Sequence, residues 1–170
     1  IFNIWFQGDC KPNWSRVVDD FKKFSEEQIR TMVDFPVNEY HFLIQILPFR
    51  FYHGVEHLKS TVLALGPGSN LMEPALYIDF IGVASHELFH SWNIKTIRPA
   101  EMLPYDYTRE NYSRLGFVYE GVTTYYGDLF LVRSGVYSVD QFFMEINARL
   151  QKHSDNYGRF NLSVADSSFD

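Results

Sequence analysis

The chain has 170 residues, a net charge of -6 and a pI near 5.5, with 46% hydrophobic and 18% aromatic residues. That length suits one domain with a real core, and the aromatic share excludes a disordered chain. No basic run marks a nucleic-acid partner, no uncharged run reaches transmembrane length, and a single cysteine, Cys10, excludes an intrachain disulfide.

Ile1 to Phe6 alternates weakly and reads as a short strand turned by Gly8 and Asp9. Apolar residues at Val17, Phe21, Phe24, Ile29 and Met32 predict helix from Trp14 to Val33, broken near a capping Ser25 and stopped by Pro36. Tyr40 to Leu47 is a strand, Phe49 to His53 stays extended, and Gly54 breaks the pattern. Ser60 to Leu65 is again strand-like, and the glycine- and proline-rich run at 66–70 is a loop.

From Leu76 the period changes. Tyr77 to Trp92 is apolar nearly all round and reads as a buried helix. Pro99 and Pro104 mark a connection. Leu115, Val118, Val122, Tyr125 and Leu129 then recur at steps of three and four, which predicts an amphipathic helix over 112–133 with that stripe inward. Gly135 stops it, and Ser138 caps a third helix to about Lys152. The fold class is therefore α+β: a mixed sheet and helix part over 1–75, then a helical part over 76–170. The chain starts at Ile1 with no signal peptide and reads as the middle of a longer protein, so its compartment stays open.

Residues 86–90 read HELFH. On a helix His90 lies about 40° round from His86 and one turn along, so both imidazoles reach one ion. Glu87 falls beside that ion, placed as a base acting on water rather than as a ligand. Two histidines and a carboxylate on an otherwise apolar helix need a partner, and a divalent cation supplies one. A catalytic zinc takes three protein ligands, so a third must come from elsewhere. Glu120 is a candidate on the next helix, with Gly116 and Gly127 near its face to let the helices approach. By spacing alone Glu120 reads better as an exposed helix glutamate, and Asp79, Asp106, Glu110 and Asp128 compete with it.

HELFHSWNIKTIRPAEMLPYDYTRENY at 86–112, YEGVTTYYGDLFLVRSGV at 119–136 and GVEHLKST at 54–61 occur in that order. Together they closely resemble the glycyl aminopeptidase family of metallopeptidases. The resemblance implies a thermolysin-like zinc peptidase core with one Zn2+ per chain, His86, His90 and Glu120 as metal ligands and Glu87 as general base. It implies a peptide substrate from which a small N-terminal residue, Gly or Ala, is removed. Full-length members of the family carry a β-rich segment before this region and usually a PDZ domain after it, so 1–170 corresponds to a partial catalytic domain.

Gly54 follows a strand and lets a ligand's backbone come close, and Glu56 projects near the strand edge. Glu56 is similar to the glutamate that holds the free α-amine in related aminopeptidases; together Gly54 and Glu56 form the expected substrate-binding pair. The role of His57 stays open. Trp92, Tyr125 and Tyr126 read as core, Lys95 and Arg98 as structural partners of nearby anions, and Thr123 and Thr124 as supports for the ligands, with Thr124 the better placed. The oxyanion donor of such an enzyme is expected beyond Asp170, since only His153 and Tyr157 lie downstream. Two other functions share these residues: a thermolysin-type endopeptidase, and a non-catalytic peptide-binding module with a retained metal, against which an intact Glu87 argues.

Overall fold

The computed structural model describes residues 1–169. Four strands, β1 (Phe2–Gln7), β2 (Tyr40–Ile46), β3 (Phe51–Glu56) and β4 (Ser60–Gly66), form one sheet in the order β1-β2-β4-β3. β1 and β4 each run parallel to β2, with Phe2 opposite Tyr40 and His41 opposite Ser60, whereas β3 runs antiparallel to β4 and lies at the edge. Gly54 does not break the extended run: it sits inside β3, paired with Leu63. β2 alternates as a one-face strand should, with Tyr40, Phe42, Ile44 and Ile46 buried.

α1 (Trp14–Met32) covers the inner face of the sheet as one unbroken helix. Asn13, not Ser25, is its N-cap, its side chain accepting from the Arg16 amide. Ser25 is buried because it shares the inward stripe with Val17, Phe21, Phe24 and Gln28, so a small residue fits there without ending the helix. Val33, at φ 72, ends α1 before Pro36 is reached.

α2 (Pro74–Phe89) starts one turn earlier than the apolar run predicts, because Pro74 is accommodated at the first helical position. It is buried nearly all round, against the sheet, α1 and α3 (Gly116–Arg133). α4 (Val139–Asp155) begins at Ser138 with a capping box closed by Gln141. α5 (Val164–Ser167) ends the described chain. The architecture is α+β, a small N-terminal sheet followed by a helical half. Among the described residues no helix is long and apolar enough to cross a membrane.

α3 departs most from expectation. Leu115, Val118, Val122 and Tyr125 are exposed, as is Tyr126, while Gly116, Thr123, Gly127, Asp128, Phe130 and Leu131 face inward. The helix packs through small and polar residues because it must lie very close to α2. A Cβ on Gly127 would stand 3.1 Å from Cα of His86 and 3.2 Å from its N. Its N-terminus is also one turn late: Asp106, Asn111 and Ser113 bind local backbone and hold 106–115 as a loop.

Candidate metal centre

The last turn of α2 carries His86 and His90, whose rings meet edge to face with centroids 4.6 Å apart. Their Nε2 atoms are 3.0 Å apart. Glu120, one turn into α3, brings Oε2 to 3.4 Å from Nε2 of His86 and 3.6 Å from Nε2 of His90. A tetrahedral ion with bonds of about 2.0–2.2 Å spaces its donors by about 3.3–3.6 Å, so the two Glu120 sides of the triangle match zinc ligands and the histidine pair lies a few tenths of an ångström closer. The donor set, two imidazoles and one carboxylate, fits the same ion.

The outward nitrogens are fixed from behind. Nδ1 of His90 donates to the carbonyl of Asn93 at 2.7 Å, which leaves the Nε2 lone pair facing the triangle. Thr123 Oγ1 donates to that same carbonyl at 3.1 Å and accepts from Asn93 Nδ2 at 3.1 Å. Thr124 Oγ1 lies 3.4 Å from Nδ1 of His86. Both threonines therefore support histidines, Thr123 through the tighter network. Burial raises the Glu120 carboxyl, but hydrogen bonds from His86 and His90 outweigh it and hold the group at about 2. Burial likewise opposes charge on His90, and Glu120 overcomes it, so that imidazole titrates above its ordinary value. Both shifts mark a site that holds its carboxylate ionised.

Glu87 is 4% exposed, and its Oε2 has no hydrogen-bond partner. Burial pushes its carboxyl up to about 8; His90 and Lys95 oppose the rise, and Glu56 and Glu120 add to it. Ligand atoms of His86, Glu87 and His90 all lie within 4.8 Å of one another, so Glu87 stands next to the triangle as well. Glu120 is the carboxylate that approaches both Nε2 atoms at ligand spacing. Gly54 bears on Glu87 directly: a Cβ there would be 2.7 Å from Cδ of Glu87 and closer still to its Oε1. The room that a glycine leaves in β3 is taken up by the Glu87 carboxylate.

Glu56, two residues on, forms an ion pair with Lys95, Oε1 to Nζ at 3.1 Å. Both line a cavity of about 520 Å3 with His57, Arg98, Tyr105 and Tyr119. The competing acids lie elsewhere. Asp106 is bound to Thr108 and Arg109, Glu110 meets the Tyr112 hydroxyl, and Asp128 pairs with Arg149. Trp92 is core, packed on Phe35 and Phe89. His153 and Tyr157 are exposed and line neither cavity beside the triangle. The Asn93 carbonyl was not legible beforehand, because a backbone acceptor leaves no trace in residue type.

The model of the M61 glycyl aminopeptidases matches residues 79–170, more than half of the chain, including His86, His90, Glu120 and all of α3. The chain belongs to this family. Among solved structures, the M61 chain is similar to an aminopeptidase N family protein from Idiomarina loihiensis, at 31% identity and a TM-score of 0.89. That match covers 98% of this chain and 29% of the other, so the M61 chain spans under a third of that protein's length. No curated protein matches.

Proposed function

We propose that the chain carries the metal site of a zinc-dependent aminopeptidase that removes small N-terminal residues from peptides. What supports the reading is the triangle of His86 Nε2, His90 Nε2 and Glu120 Oε2, with an unpartnered buried carboxylate, Glu87, against it. Those three residues would hold the ion. Zinc in such a site lowers the pKa of water and polarises a carbonyl.

The protein's own groups do the rest. Glu87 takes a proton from the attacking water and passes it to the leaving amine, a role that its unpartnered carboxylate beside the triangle is placed to fill. The outer edge of β3 has no strand beside it among the described residues, so a peptide can add there as a further strand. Glu56 stands at the end of that edge, where a carboxylate can pair with a free α-ammonium. Preference for Gly or Ala is carried by family membership alone.

Lys95 favours a second reading. Its ammonium already occupies Glu56, so an α-amine must displace it or be held elsewhere. An endopeptidase would use the same triangle and base without needing that exchange. Metal analysis of the whole protein, with hydrolysis of Ala-Ala-Phe-amide and its N-acetylated form, tests both. One zinc per chain and cleavage of the free-amine peptide alone is the expected result. Equal cleavage of the two makes the protein an endopeptidase, and bound zinc without turnover of either makes it a binding module.

A further inference from the structure

Two cavities flank the metal triangle along β3. One lies at the Val55–His57 end, with Glu56 and Lys95. The other, of about 310 Å3, lies at the Tyr52–Gly54 end and is walled by α2, α3 and α4. Its lining includes Gly54, His86 and Glu87, so it borders the metal triangle and the residue placed as its base. Its lining also bears Asp79, Asp128, Glu145 and Arg149. Arg149 pairs with Asp128 and reaches Glu145 at 3.7 Å. With Asp79, these residues bring three carboxylates and one guanidinium to the lining, a formal surplus of two negative charges among them. Asp79 has no cation within ion-pair distance among the described residues, with Arg50 tempering it from farther off. Burial holds the carboxyls of Asp79, Asp128 and Glu145 above their ordinary values. The lining also includes Ile78, Val83 and the rings of Tyr52 and Tyr137.

A cavity that combines aliphatic and aromatic lining with surplus negative charge matches a side chain with a methylene stem and a cationic head. A peptide laid antiparallel on β3 with its N-terminus at Glu56 puts its next residue at the Tyr52–Gly54 end. We propose that this cavity receives the side chain that follows the scissile bond, and that it selects lysine or arginine there. Asp79 and Glu145 are the specificity-determining residues. The proposal rests on the peptidase reading above.

The test compares kcat/KM of the zinc-loaded protein on Ala-Lys-amide, Ala-Leu-amide and Ala-Glu-amide. The lysine peptide should lead by about tenfold or more over leucine, with glutamate last. Asp79→Asn should shrink the lysine-to-leucine ratio several-fold, and Asp79→Lys should invert the order of lysine and glutamate. A merely structural Asp79 would change all three peptides alike, which would overturn the assignment. Calorimetric titration with agmatine, which needs no turnover, separates this inference from the peptidase reading. Agmatine binding that Asp79→Asn weakens supports the subsite even where no peptide is cut. No agmatine binding, with a lysine-to-leucine ratio near one, overturns it.

Discussion

A Cβ at position 54 would stand 2.7 Å from Cδ of Glu87 and 2.7 Å from Cγ2 of Val83, closer than side-chain atoms pack. Gly54→Ala must therefore push the Glu87 carboxylate out of place. An ångström of displacement at a reacting group is worth about a hundredfold in rate, so turnover should fall by about that factor while zinc content stays at one per chain. Unchanged turnover would show that Glu87 is not confined by β3. Glu87→Gln keeps shape and cannot take a proton; it should lower kcat by about 10²–10⁴ and retain the metal. Metal analysis decides the point, since loss of zinc would make Glu87 a ligand. The histidine spacing and the place of Glu87 beside them were legible in HELFH, because helical geometry is local. Gly54 was legible only as a glycine with a purpose. The sequence reading opens it toward a substrate backbone, whereas its neighbour is a side chain from a different element, a contact that no local spacing encodes.

At the scale of elements, α3 teaches more than any other. Its apolar stripe and its buried face are different faces. Periodicity finds where apolar residues recur, and it assumes that they face inward. In α3 the inward positions next to the metal triangle are Gly127, Thr123 and Asp128, chosen for closeness and hydrogen bonding. Val122→Lys should accordingly shift unfolding free energy by less than about 0.5 kcal/mol, the range of a surface change. Leu131→Ala should cost about 2–5 kcal/mol in the same urea titrations. The reverse ranking would restore the stripe as the core. Gly127→Val bears on the site itself. Its new atoms would press on backbone Cα and N of His86, which cannot rotate away, so the helices must part. Overpacking of this kind costs about 1–3 kcal/mol, and competition with a chelator should show zinc affinity reduced as the triangle widens. By contrast, the start of α4 was legible, because Ser138 caps it as a local pattern should; Gln141 closes the capping box, and the helix runs on past Lys152 to Asp155.

Across the whole molecule, the sheet half sets Gly54 against Glu87, and the helical half sets Glu120 against the histidines. One buried polar chain fixes how the helices sit together. Gln28 of α1 donates through Nε2 to both the carbonyl and the hydroxyl of Ser85 in α2, each at 2.9 Å. Ser85 Oγ in turn donates to the carbonyl of Gly127 in α3 at 2.7 Å. That last bond spans the very contact where α3 approaches His86, one residue along from Ser85. Ser85→Ala removes the hydroxyl and its bond to the Gly127 carbonyl, which keeps its place in the helical ladder of α3, so the loss should be about 0.5–1.5 kcal/mol, the net contribution of one hydrogen bond. If the bond merely stabilises the fold, the zinc-free and zinc-loaded proteins should lose the same amount. If it sets the spacing of α2 and α3 at the triangle, the loaded protein should lose more, because stabilisation by a bound ligand grows as RT ln(1 + [L]/Kd) and a weaker Kd shrinks it. The expected result is the second. Urea unfolding of both proteins, with and without saturating zinc, measures the difference directly, and equal losses would confine Ser85 to packing.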